Sequence, residues 1–200
     1  MSMNILVAGA TGRTGLHLVQ YLIDQGHKPT ALVREGSDTS ALPKGVGLRQ
    51  GDLSDLQAGV CDAMEVVIFA AGSGGSTSPE MTDKVDRDGA KRLIDMAHAS
   101  GVKRFVMLSS VGADQPNPTG DIAHYLKAKQ EADEYLKGSG MLYSILRPVA
   151  LTDDGRSEDV ILGANVDKSA KASRADVAYV LAQAATTGRF DGLAQDMQSA

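Results

Sequence analysis

The chain has 200 residues, 42% of them hydrophobic and 22% charged, with a formal net charge of −5. That size and balance describe one soluble domain with ample material for a core, and the negative charge argues against a nucleic-acid or anionic-membrane surface. No apolar stretch approaches the roughly 20 residues needed to cross a bilayer, the single cysteine (Cys61) excludes an internal disulfide and fits a reducing cytoplasm, and the scattered His17, His27, His98 and His124 offer no metal-ligand cluster.

In chain order, the first element is the apolar run NILVAG (4–9), with no basic, apolar-cored leader before it. A glycine-rich turn follows. Leu16, Val19, Leu22 and Ile23 then repeat at helical spacing, with Gly26 where a C-terminal cap belongs. PTALVR (29–34), VGLRQ (46–50) and EVVIFAAG (65–72) read as further strands. A second helical stripe carries Val85, Gly89, Leu93 and Met96 and ends at Gly101. KRFVMLSS (103–110) is a fifth strand, a third helix runs from about Ile122 to Lys137 and closes at Gly138, and LYSILRP (142–148) is a sixth strand. SRADVAYVLAQAAT (173–186) forms a fourth helix capped by Ser173. The tail FDGLAQDMQSA (190–200) lacks an obvious final apolar strand.

Continuous apolar strands alternating with helices predict an α/β fold: a doubly wound parallel sheet with helices on both faces, three layers in all. No repeat or linker divides the chain, so residues 1–200 read as a single domain, with a small substrate-side portion from about residue 148. Loops 72–79, 111–120 and 149–160 follow strands, and in open α/β sheets such loops line the ligand crevice. Asp153 and Asp154, in the last of these, read either as pocket residues or as a solvated acidic turn, and the turn is preferred.

The glycines need an explanation. VAGATGRTG (7–15) sets Gly9, Gly12 and Gly15 between the first strand and its helix. Gly9 allows a sharp turn, Gly12 lets a diphosphate approach the main chain, and Gly15 allows helix and strand to pack closely. The free N–H groups and the positive end of the helix dipole would hold the anion. Gly9, Thr11, Gly12, Arg13, Thr14 and Gly15 are therefore the candidate dinucleotide cradle, and the position directly after a strand is the context that separates this motif from a plain turn.

An NAD-specific site usually ends its second strand in an acid that accepts from the ribose hydroxyls. Here that place holds Val33, followed by Arg34. Arg34, joined by Arg13, suits a 2′-phosphate, so NADP(H) is favoured over NAD(H). The adjacent Glu35 keeps NAD open, and both arginines can also be read as solvated loop residues.

Tyr125 and Lys129 lie four apart on the third helix, within the spacing Ile122, Tyr125, Lys129, Ala132, Leu136 that forms its apolar stripe. A lysine in a burial stripe is costly unless paired or snorkelling. Beside a phenol, an ammonium stabilises phenolate and makes the tyrosine a usable general acid or base. The competing reading rolls the helix and leaves Lys129 at its edge. Ser109 and Ser110 end the fifth strand at the crevice, where a hydroxyl can bond a substrate carbonyl or simply form a turn.

GATGRTG, GDL (51–53), AAG (70–72), VDRDGAKRLIDMAHASGVKRFVMLSS (85–110) and YLKAK (125–129) are spaced as in the short-chain dehydrogenase/reductase superfamily. The chain resembles its small atypical, Rossmann-fold branch, which includes flavin/biliverdin-IXβ-type reductases and nitrogen-regulator-like cofactor sensors. The likeness runs from Met3 to about Thr187. It implies that Tyr125 is the catalytic acid/base, Lys129 holds the nicotinamide ribose, and Ser110, with Ser109 as alternate, polarises the substrate. It places Asp52 and Leu53 near the adenine, Ala70, Ala71, Gly72 and Ser109 along the cofactor's path, and Arg147 and Pro148 where backbone approaches the nicotinamide. Asp86 stands where extended members often have asparagine, so a proton relay through it is not carried over. The implied activity is a cytoplasmic NADP(H)-dependent oxidoreductase acting on a small carbonyl, quinone, flavin or alcohol, without nucleic-acid or membrane partners, as monomer or homodimer. The alternatives are an NADP(H)-binding redox sensor without turnover and a cofactor-retaining epimerase or dehydratase.

Overall fold

The computed structural model describes residues 1–73, 77–157 and 159–200. Residues 74–76 of the expected crevice loop 72–79, and Glu158 of loop 149–160, lie outside the described residues.

The six expected strands form β1 (Asn4–Ala8), β2 (Lys28–Val33), β3 (Gly47–Gln50), β4 (Val66–Phe69), β5 (Arg104–Leu108) and β6 (Leu142–Pro148). Four more follow: β7 (Ala150–Thr152), β8 (Val160–Leu162), β9 (Lys171–Ser173) and β10 (Leu193–Ser199). The main sheet runs β3-β2-β1-β4-β5-β6-β10-β8, and β7 pairs with β9 in a separate parallel ribbon. Every main-sheet pairing is parallel except β10 with β8. Strand order reverses between β1 and β4, which opens a crevice at their carboxyl ends.

Helix α1 (Arg13–Asp24) and helix α5 (Arg174–Thr187) cover one face, where Leu18, Leu22 and Leu181 meet Ile5, Val7 and Val106. Helix α3 (Ala90–Ala99) and helix α4 (Ala123–Gly138) cover the other, where Leu93, Ile94 and Leu136 meet Leu6, Phe69 and Phe105. Neighbouring residues of one strand thus enter opposite cores, which is why the strands read as unbroken apolar runs. Ser173 caps α5 as its sequence implies, its hydroxyl accepting from the N–H groups of Ala175 and Asp176.

Two expectations fail. The tail does hold a strand: β10 pairs in parallel with β6 from Leu193 to Met197. It was invisible as an apolar run because only Met197 in it is fully buried, so main-chain pairing near the sheet edge, rather than side-chain burial, sets it. Second, the helical stripe at 85–96 is not one regular helix. A four-residue turn, α2 (Pro79–Thr82), leads into a π-helical segment, Asp83–Gly89, and then α3. The wider winding shifts the inward face by one position, so Asp86 is fully buried where Val85 was expected, and Met96 is only half-buried.

Candidate active site

The glycine turn sits at the crest of β1. Gly9 has φ +85°, and a Cβ there would lie 2.6 Å from the main chain of Ala70 and Ala71, just beyond β4. A Cβ at Gly15 would lie 2.0 Å from the Gly9 carbonyl, so the first turn of α1 rests directly on the loop. Gly12 is the N-cap of α1, and among the described residues no side chain caps the leading N–H groups. A Cβ at Gly12 would meet only the Gly9 oxygen, at 3.2 Å, and otherwise enter open space. Thr11, Gly12 and Arg13 are exposed, while Thr14 and Gly15 are buried beneath them. This bare, positively poised main chain fits a dinucleotide diphosphate.

On the β2 side, Val33 is buried and Arg34 is exposed just past the strand. Asp52 accepts at Oδ1 from the N–H (2.8 Å) and hydroxyl (2.7 Å) of Ser54. These bonds, aided by the charge of Arg34, hold its carboxyl below the usual range. The Leu53 carbonyl accepts from Arg92 at 2.9 Å, and a Cβ on Gly89 would lie 2.9 Å from Leu53 Cβ, so the π-helical segment presses directly on this floor. Arg13 faces elsewhere. Its Nη1 lies 2.5 Å from Asp153 Oδ2, and Arg174 Nη1 reaches Asp153 Oδ1 at 2.7 Å. Asp153 is therefore not merely a solvated acidic turn: its carboxylate joins the glycine turn to the start of α5.

On α4, Lys129 is 2% exposed and lies within the burial stripe. Ile122 is not in that stripe: it precedes the helix and is 56% exposed, because the buried face is carried by Leu126, Lys129, Ala132, Asp133 and Leu136. The Lys129 Nζ stands 2.9 Å from Asp86 Oδ1, donates to the Leu108 carbonyl at 3.3 Å, and lies 5.6 Å from the ring centroids of both Phe69 and half-buried Tyr125. Burial works against the ammonium, but Tyr125 and Asp86 more than offset it, so its pKa rises above the ordinary lysine value. Asp86 also accepts from the Ser73 N–H at 2.9 Å, linking the lysine's partner to the loop after β4.

One turn further along α4, buried Asp133 accepts at Oδ2 from Arg147 (3.0 Å) and from the Ser109 hydroxyl (3.0 Å). Burial raises the Asp133 carboxyl, against the pull of Arg147. Asp86, Lys129, Asp133 and Arg147 thus form a row of alternating charge beneath the crevice. Ser109 is 3% exposed and committed to this row. Ser110 is half-buried, and among the described residues its hydroxyl makes only a long 3.4 Å contact to the Val111 carbonyl, which leaves it the freer of the two. Ala70, Ala71 and Gly72 lead away from β4 at the crest, and Pro148 is buried at the end of β6. Asp133 and Arg174 were not singled out from the sequence. The first had a signal, four residues from Lys129 on one helix face, and the second had none.

A model of NAD(P)H-binding proteins matches residues 9–187. The chain belongs to this NAD(P)H-binding family. Among similar proteins is the uncharacterized sugar epimerase YhfK of Bacillus subtilis, 34% identical, with 88% of this chain and 85% of that one aligned. A Bacillus halodurans structure assigned to the NAD-dependent epimerases/dehydratases superposes with a TM-score of 0.92 at 31% identity, covering 100% of this chain and 95% of that one. The oxidoreductase ylbE from Lactococcus lactis gives a TM-score of 0.87 at 28% identity, covering 99% and 91%. The NAD(P)H-binding chain shares its fold with atypical short-chain dehydrogenase/reductase-like Rossmann proteins. Among its described residues, no helix is long and apolar enough to cross a membrane.

Proposed function

We propose that this protein is an NADP(H)-dependent oxidoreductase acting on a small carbonyl, quinone, flavin or alcohol. The observation that carries the reading is the buried, ion-paired Lys129 ammonium 5.6 Å from the Tyr125 ring, at the crevice onto which the glycine turn opens. Gly12 and the leading N–H groups of α1 would hold the diphosphate, with Asp52 and Leu53 beside the adenine. Arg34, with no acid at Val33, supports a 2′-phosphate. A nicotinamide held there would supply or accept the hydride.

The chain's own residues handle the proton. In the reducing direction Tyr125 donates its phenolic proton to the substrate oxygen as negative charge develops there. Ser110 donates a hydrogen bond to the same oxygen. The Lys129 ammonium stabilises the phenolate left behind, and Asp86 keeps that ammonium in place. In the oxidising direction each transfer reverses. A small substrate suits the fold, since after β6 the strands β8 and β10 rejoin the main sheet and the separate β7–β9 ribbon has two three-residue strands.

A second reading comes from the epimerase names of two relatives: chemistry in which the nucleotide is restored within each turnover. The two are separated by fluorescence titration with NADPH and NADH, followed by a turnover screen over quinones, flavins and aldehydes. Net NADPH oxidation with at least one acceptor supports the reductase. Product without net oxidation supports the epimerase-type reading, and tight binding with neither supports a redox sensor. Failure to bind either nucleotide overturns all three.

A further inference from the structure

Asp153 accepts from two arginines that share an unusual position. Arg13 is the first residue of α1 and Arg174 the first residue of α5. The guanidiniums that head two packed helices therefore meet on one carboxylate. Arg174 is only 14% exposed in its side chain, so this corner is built into the fold rather than assembled by surface side chains. Two arginines held this way make an anion site, and an anion already fills it: the protein's own Asp153.

The same corner borders the bare main chain of Gly12, where the functional reading seats the cofactor diphosphate. The Arg13 Nη1 that Asp153 holds is not free for that diphosphate, so the two anions draw on one guanidinium. We propose that Asp153 is an internal stand-in for phosphate, which competes with the bound nucleotide for Arg13 and so sets how tightly the cofactor is held and how readily it leaves. This rests on the reading of the glycine turn as a diphosphate site. The loop is suited to exchange. Asp153 is 58% exposed, while Ser157 is anchored through its N–H (3.0 Å) and hydroxyl (2.9 Å) to buried Asp176, and Arg156 stacks 3.7 Å from the Tyr179 ring centre. Residues 153–155 can therefore swing away while Arg156 and Ser157 stay anchored. A Cβ built on Gly155 would meet no atom of the described residues within 4 Å, so there is space around this part of the loop.

The test is a titration of NADPH, NADH and ADP, which all carry the diphosphate, against wild type, Asp153→Asn, Arg13→Ala and the double variant. Asp153→Asn should tighten all three ligands by about fivefold, the size expected for loss of one partly exposed competing charge. Arg13→Ala should weaken them, and in that background Asp153→Asn should change affinity by less than about twofold, because the contested guanidinium is gone. Dissociation of NADPH should slow in Asp153→Asn by a similar factor. Wild type that binds with Asp153→Asn unchanged or weaker overturns the competition alone, and so does equal tightening in the Arg13→Ala background. Wild type that binds none of the three overturns the diphosphate reading and the proposal together.

Discussion

Lys129 shows what one residue can reveal and conceal. An ammonium in the apolar stripe of a helix was legible as a cost that needed a partner, and the structure supplies Asp86 at 2.9 Å. The partner was not legible in the same way. Helical phase puts Val85 inward, and only the π-helical winding of Asp83–Gly89 turns Asp86 there instead. An i+5 segment leaves no sequence period distinct from an ordinary helix that is slightly out of register. The pairing has a measurable consequence. Removing one member of a buried ion pair leaves the other charge stranded, at a cost of about 3–5 kcal/mol. Asp86→Ala should lower unfolding stability by that order in a urea titration. Asp86→Asn keeps an oxygen for Lys129 and should cost less than half as much. Equal losses would mean that the negative charge is what holds Lys129 and that a neutral oxygen of the same size cannot replace it.

At the scale of elements, the strands beneath the crevice were readable because burial on two faces writes continuous apolar runs, as in VVIF at β4. The glycine turn was readable because each glycine answers a distinct steric demand. The sharpest is Gly15, where a Cβ would collide with the Gly9 carbonyl at 2.0 Å. Gly15→Ala must push α1 off the loop. It should lower stability by about 1–3 kcal/mol, as overpacking does, and should also weaken NADPH binding at least tenfold, since the displaced turn carries the leading N–H groups. Calorimetry with and without nucleotide reads both effects. A normal affinity at reduced stability would detach the turn from the ligand. Strand β10 was not readable, because LAQDMQS mixes polar and apolar residues that are mostly half-buried and owes its place to main-chain pairing with β6 and β8.

At the scale of the whole molecule, charge is placed unevenly, and pH exposes it. Asp196 on β10 lies opposite Arg147 in register, yet burial, with nearby Asp114 adding repulsion, raises its carboxyl above the usual 3.8. An acid whose pKa is raised by folding binds its proton more tightly in the native state. Its penalty is therefore absent at pH below the unfolded value and complete above the raised folded value. Asp196→Asn should raise the thermal midpoint at pH 7.5, and the advantage should shrink as pH falls through the raised value and vanish only below the unfolded value of 3.8. A constant difference across that range would locate the effect outside ionisation. The three-layer fold was legible throughout because it follows from patterns repeated along the chain. The Arg13–Asp153–Arg174 corner was not, because it joins residues 140 apart that no local pattern connects.

The central claim is that Tyr125 moves the proton in a site whose cofactor is held independently by the glycine turn. The most direct measurement compares wild type with Tyr125→Phe, recording the NADPH dissociation constant and the rate of NADPH oxidation with the best acceptor from the screen. The account expects an affinity within about twofold of wild type and a rate lower by about 10²–10⁴, the usual worth of a positioned proton donor. A variant that oxidises NADPH at the wild-type rate would contradict it.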